Sequence, residues 1–384
     1  MINKLKINQK NLIIYYAGFP DFLRNFSRDS LISGLLMNDY KLLKDQLIFC
    51  CVHQGRRNNP YTGEEIGKIH HEYPGVELEG LSTEYNACDT NALFLIAFER
   101  YLKLTKDKAF FKRYEKNIEL AVEYILSHLK NYLFEENPFI CGAKRFALRC
   151  TYWKDSQVIG REDNQIEYPV IYPLIHIYNI AGLRAAAKIL KRKSLLDISK
   201  KMKEKLPDLF DKKTGMFYIA IDKKGEISAI NSDSLHAFYF IEKDDLSKEQ
   251  IEKIIESSIH LETIAGYIAL NKNFKFSLVK DSTYDFQNMV FPFEQALINF
   301  GAKKLGLKKV MDVSSRVKKY LKTSPENLIV QDNFVEEAGC NPQLWTIAAK
   351  KYFKNKKLNS QQANLFKPFP NIQKSLNLNH IKIP

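Results

Sequence analysis

The feature that most restricts how this 384-residue chain can fold is a helical repeat of apolar residues that returns from one end to the other. Tyr114, Ile118, Ala121, Ile125 and Leu129 recur at steps of three and four, and Ile175 through Leu190 does the same. That spacing places one apolar stripe on a helix and predicts an amphipathic helix packed on a core. Similar runs near 29–37, 41–53, 89–104, 196–209, 234–242, 248–258, 293–305, 307–322 and 343–353 bring the count to about eleven. Alternating segments, GMFYIAID and GEISAIN, predict one small β-hairpin near 215–230 with its turn at Lys223 to Gly225. A chain so dominated by helices belongs to the all-α class, and its length suits one large domain over residues 1–384. The core is expected to run from about 12 to 353. The Asn-, Lys- and Pro-rich stretch 354–384 is expected to be an extended or disordered tail.

Composition bears on this where it excludes other classes. Hydrophobic residues at 45% and charged residues at 27% describe a folded globular chain. LIIYYAGF and DQLIFCCV are too short to cross a membrane, and the N-terminus lacks a small-residue cleavage site. A cytoplasmic protein with no membrane partner is therefore expected. The net charge of +14 comes from lysines that alternate with acids along helices, as in KRYEKNIELAVEY, which reads as a solvated surface and not as a nucleic-acid footprint. Lys354 to Lys357 form the one local basic run, without a nucleic-acid motif beside it. The six cysteines lack the spacing of a zinc site or a disulfide framework and are expected as reduced thiols.

Carboxylates in unusual company are the candidates for chemistry. Each of the two tryptophans has one nearby: TYWKDS puts Asp155 two residues after Trp153, and NFVEEAGCNPQLW puts Glu336 and Glu337 ahead of Trp345. Two carboxyl groups on opposite sides of a bond are what glycoside hydrolysis requires, and an indole face is a platform for a sugar ring. Taken singly each pairing reads more readily as a core tryptophan and a helix-capping acid. Arg28 and Asp29 stand at a predicted helix start in FSRDSLISGLL. The long loop through HHEYPG and STEYNACDTNALF collects His71, Glu72, Tyr85, Asn86 and Asp89 ahead of an apolar helix. Loops of that length carry function more often than not. HHE does not have the i, i+4 histidine spacing of a zinc helix, so no metal is expected.

Taken in order, AGFPDFLRNFSRDSLISGLL, GKIHHEYPG, TEYNACDTNALFLIAFERY, YWKDS, YDFQNMVFPFEQALINFGAKKLGL and GCNPQLWTIAA resemble the amylo-α-1,6-glucosidase domain of glycogen debranching enzymes, and more distantly the glucoamylases. The matches span about residues 17 to 352. The resemblance implies an (α/α)6 barrel of six helical hairpins and an inverting hydrolase of an α-glucosidic bond, with an α-1,6 branch stub as the first substrate. A glucosylglycerate or mannosylglycerate hydrolase is the enzymatic alternative, and a non-catalytic glycan binder the alternative of another class. It further implies that Asp155 is the general acid, with a raised pKa, and that Glu336, or Glu337 beside it, is the base. Arg28, Asp29, His71, Glu72, Tyr85, Asn86, Asp89, Trp153, Lys154, Glu294, Gln343 and Trp345 are expected to line or brace the pocket. Lys154 is expected to point away from Asp155 or to meet sugar hydroxyls. FPFEQ, with Phe291 and Glu294, stands where the family more often has W-P-x-D-N, and the stretch between the basic Glu and the cysteine is compressed. No cofactor, a carbohydrate substrate and a monomer or homodimer complete the expectation.

Overall fold

The structure, a computed structural model, describes residues 2–9, 11–155, 166–272 and 284–355. Most of the tail expected beyond 354 lies outside the described residues. Eleven α-helices are present among those described: α1 Ser27–Met37, α2 Tyr40–Val52, α3 Thr90–Thr105, α4 Lys108–Ser127, α5 Pro173–Leu190, α6 Lys193–Lys203, α7 Asp233–His236, α8 Lys248–Ser257, α9 Pro292–Leu305, α10 Lys308–Ser314 and α11 Leu344–Lys354. None is long and apolar enough to cross a membrane.

The helices are of two kinds, and the difference is written in which positions are apolar. In α4, α6 and α8 burial is confined to a stripe, for example Leu195, Ser199 and Met202 in α6, or Ile251, Ile254 and Ile255 in α8. Such helices have a wet face and a dry one. By contrast all eleven residues of α1 are buried, as are nearly all of α5 and α9. A helix covered on every side must lie inside a ring of others. Contacts follow that rule: α1 packs on α3, α3 on α5, α5 on α7, α7 on α9, α9 on α11, and α11 returns to α1. Helices α2, α4, α6 and α10 pack outside this cycle on their chain neighbours. At Gly182 of α5 an added Cβ would lie 3.0 Å from the Ala92 Cα, so glycine sets how closely α3 and α5 approach.

Between the helices run small antiparallel hairpins. The hairpin expected at 215–230 is narrower than the sequence pattern. Ala220–Asp222 pairs with Gly225–Ile227, while Met216–Phe217 turns back to pair with Phe210–Asp211. The helix expected at 234–242 shrinks to α7 and a 3₁₀ turn, Ala237–Tyr239. Of the hairpins with no counterpart in the helical reading, two have the longest strands. Lys6–Gln9 pairs with Leu12–Tyr15. Asn327–Gln331 pairs with Phe334–Ala338 and, on its other edge, with Met289–Val290, to make a three-stranded sheet. Asp332, at φ 50°, makes the turn between its two long strands, a left-handed position that Asp and Asn tolerate.

Candidate active site

The starts of three of the ring helices converge on one cavity. Phe26, Arg28 and Asp29 come from the entry to α1, Phe291 from the entry to α9, and Gln343 and Trp345 from the entry to α11. Trp153 and Asp155 close it from the loop before α5, with Ala17, Phe22, Tyr284, Phe286 and Glu326 completing the pocket. Helix N-termini carry unpaired N–H groups and the positive ends of helix dipoles, which favour anionic and oxygen-rich groups.

Three carboxyl groups and one guanidinium share this space. Arg28 donates from Nε to Asp89 Oδ2 at 2.6 Å and from Nη1 to Asp155 Oδ2 at 3.0 Å. Its remaining nitrogen, Nη2, is buried without a partner among the described residues, as are Gln343 Oε1 and Trp345 Nε1. Buried polar atoms of this kind are costly unless something pairs with them, and a ring of hydroxyls is a chemically matched partner. Asp29 accepts from Gln343 Nε2 at 3.1 Å. Burial pushes Asp29 up to about 8 despite Arg28, with Glu326 and Asp155 adding repulsion.

Glu326 stands immediately before the strand Asn327–Gln331. Its Oε1 accepts from the Tyr284 hydroxyl at 2.5 Å, and its Oε2 from the Cys340 backbone N–H at 3.1 Å. Burial raises its pKa to about 7, more than these hydrogen bonds lower it. Gly339, at φ 72°, passes against it so closely that a Cβ there would come 2.5 Å from Oε2.

Asp155 differs from the expectation that apolar burial would raise it. Burial does act in that direction, but the approach of His71, whose Nε2 is 3.6 Å from Oδ2, and the charge of Arg28 outweigh it and hold the carboxyl below its usual value. Lys154 turns away from Asp155: its ammonium lies 3.0 Å from Asp233 Oδ1 and donates to the Ala269 carbonyl at 3.1 Å.

Glu336 and Glu337 lie outside the pocket. Both sit on the strand Phe334–Ala338, where Glu336 is exposed and Glu337 accepts from the Thr323 N–H at 2.9 Å and from its hydroxyl. The hairpin carries them away, and the carboxylate it brings to the cavity is Glu326, ten residues earlier. A signal was present in the alternation NLIVQDNFVEEA, with Asp-Asn at its centre, which reads as strand, turn, strand.

The other expected residues divide between lining and bracing. Arg28, Asp29, Trp153, Gln343 and Trp345 line the pocket. Asp89 holds Arg28 from behind. His71 reaches Asp155 and stacks edge-on against Phe26, with centroids 5.2 Å apart. Glu72, Tyr85 and Asn86 are occupied elsewhere. Glu72 pairs with Arg24 at 2.5 Å and with Thr83, the Tyr85 hydroxyl donates to the His53 carbonyl at 2.8 Å, and Asn86 ties Thr62, Ser82 and Leu148 together. Glu294 is buried and does not line the pocket; it accepts from Ser232 Oγ at 2.6 Å. The six cysteines are buried free thiols.

No protein-family model and no curated protein matches this sequence. Solved structures do match its fold. A GH63 mannosylglycerate hydrolase from Thermus thermophilus, in complex with Tris and D-glycerate, superposes with a TM-score of 0.68 at 8% identity, covering 92% of this chain and 98% of that one. The same enzyme in complex with glucose gives a TM-score of 0.64 at 9% identity, covering 89% of this chain and 96% of that one. A rhamnosidase from Klebsiella oxytoca with rhamnose bound gives 0.55 at 12% identity, covering 88% of this chain and 59% of that one. The chain thus shares its mostly helical fold with glycoside hydrolases.

Proposed function

We propose that this protein is an inverting glycoside hydrolase built on an (α/α)6 toroid, acting through Asp155 and Glu326. The observation that carries the reading is the pocket itself. It holds three carboxyl groups, two of which, Asp155 and Glu326, come from separate elements, between walls of Trp153, Trp345 and Phe291, and among its lining residues Arg28, Trp345 and Gln343 each have a buried polar atom without a partner among the described residues. The closed cycle of helices α1, α3, α5, α7, α9 and α11 supports the toroid.

In the proposed single displacement Asp155 gives its proton to the glycosidic oxygen as the C1–O bond breaks. Glu326 takes a proton from the water whose oxygen forms the new bond to C1 on the opposite face. A base near neutrality is well matched to that task, and Glu326 at about 7 has that poise. Asp155 is held low by His71 and Arg28, so its protonated form is a minor one until a bound ring draws Arg28 Nη1 toward sugar hydroxyls and excludes water.

The substrate favoured is a small α-glycoside of the mannosylglycerate or glucosylglycerate kind. The match to a mannosylglycerate hydrolase over nearly all of both chains supports this. An α-1,6-glucosidase is the second reading, supported by the ordered motifs that resemble debranching enzymes. Incubation with mannosylglycerate, glucosylglycerate, isomaltose, panose and limit dextrin separates them. Free glycerate as a product favours the first, glucose from isomaltose or limit dextrin the second, and no release from any of them counts against both.

A further inference from the structure

Three consecutive side chains ahead of Asp155 end on a single carboxylate. The Tyr152 hydroxyl donates to Asp233 Oδ2 at 2.9 Å, the Trp153 indole N–H to Oδ1 at 2.9 Å, and the Lys154 ammonium lies 3.0 Å from Oδ1. All four residues are buried, and Lys154 is fully so. Asp233 begins α7, and its own backbone N–H is fixed by the Asn231 side chain at 3.0 Å. A buried ammonium needs a paired anion, and a carboxylate can accept several such bonds. Satisfying three donors from three successive residues fixes the rotamers of all three, and with them the direction in which the chain leaves toward Asp155.

Asp233, His236 and Glu294 also place one ligand atom each within 4.8 Å of one another, a spacing a metal ion would accept. The charge already present argues otherwise. Lys154 supplies a cation at Asp233, and both oxygens of that carboxylate are engaged by Tyr152, Trp153 and Lys154. The cluster is thus built to hold the 152–154 segment.

We propose that Asp233 is a positioning residue that clamps the Tyr152–Lys154 segment and thereby aims the Asp155 carboxyl at the leaving oxygen. This rests on the reading of Asp155 as the acid. A clamp that serves the acid alone matters only when the leaving group needs a proton. Fluoride leaves C1 as an anion without one, whereas an alkoxide must be protonated as it departs.

The test compares Asp233→Asn with Asp155→Asn on two substrates of one sugar: mannosylglycerate and α-mannosyl fluoride, or isomaltose and α-glucosyl fluoride. Asp233→Asn is expected to lower kcat on the glycoside by roughly 100-fold, within the range that general acid catalysis supplies. KM is expected to rise alike for both substrates, because Trp153 also walls the pocket, while kcat on the fluoride is expected to fall far less than kcat on the glycoside. Equal losses of kcat on both substrates would overturn the proposal, since a general structural defect spares neither. If Asp155→Asn itself fails to discriminate the two substrates, the acid assignment falls instead.

A second measurement is independent of turnover. The sequence has two tryptophans, so in a Trp345→Phe background, excited at the red edge where tyrosine does not absorb, emission comes from Trp153. Adding Asp233→Asn is expected to red-shift its emission and increase acrylamide quenching at unchanged far-UV dichroism. Identical spectra would show that the clamp does not hold Trp153 and would overturn the proposal whatever the substrate.

Discussion

Arg28 Nη1 lies 3.0 Å from Asp155 Oδ2, so the guanidinium that Asp89 holds on its other side is also the main charge on the proposed acid. The arrangement ties the protonation of Asp155 to whatever occupies the pocket. Removing Asp155 or Glu326 should therefore separate chemistry from binding. Asp155→Asn and Glu326→Gln are each expected to lower kcat on an unactivated glycoside by about 10²- to 10⁴-fold while sugar binding by calorimetry persists. Glu336→Gln, on the exposed strand, is expected to leave kcat unchanged and stability within about 0.5 kcal/mol. A large loss in Glu336→Gln with none in Glu326→Gln would return the base to the hairpin's outer strand.

The helical part of this architecture was legible because its signal is local. The repeat in 114–129 and the apolar density of 175–190 correspond to α4 and α5 within a few residues at each end. Less was legible where the signal is a pairing between distant segments. The sheet joining Met289–Val290 to Asn327–Gln331 is set by residues about forty apart, and no local periodicity announces it. That pairing decides which glutamate faces the cavity. Reading back from Trp345 along the chain stops at Glu336 and Glu337, whereas the fold steps across the hairpin to Glu326. Asp233 was invisible for the same reason, since its importance comes from the Tyr152–Lys154 segment about eighty residues earlier.

The pH profile follows from the two shifts. The proposed pair works with one proton between them, and two interacting carboxyls titrate as a unit. The last proton leaves near the raised value of Glu326, about 7, and the second is taken up only below the ordinary aspartate range, where Asp155 is held. A plot of kcat/KM against pH is thus expected to be flat in the mildly acidic range and to fall about tenfold per unit above about 7. A profile still rising through pH 8 would contradict it.

Stability should move with pH for the same reason. Asp29 and Glu326 have folded-state values of about 8 and about 7 against ordinary values of 3.8 and 4.5. For groups raised in this way the contribution to stability is full below the ordinary pKa and is lost as pH rises through the folded value. Glu326→Gln removes one buried charge. It is expected to unfold at a higher temperature than the parent at pH 8, by a free energy on the order of 3 kcal/mol at most, with the difference shrinking toward zero at pH 5. Thermal melts at the two pH values check this, and a difference independent of pH would contradict it.

Gly339 offers a test of how closely Glu326 is held. Alanine there meets a left-handed φ of 72° and a Cβ position 2.5 Å from Glu326 Oε2. Gly339→Ala is expected to cost about 1–2 kcal/mol of stability through the backbone alone. By shifting the carboxyl it should also lower kcat roughly 100-fold. Parallel melts and kinetics separate the two effects; an alanine variant with parental kcat would show that Glu326 is not constrained by this contact.

The central claim, a single displacement by Asp155 and Glu326, is tested most directly by the anomer first released from an α-linked substrate, followed by proton NMR before mutarotation. The β-anomer of the freed sugar is expected first. Initial release of the α-anomer would mean two displacements through a covalent intermediate and would contradict the assignment of Glu326 as a base acting on water.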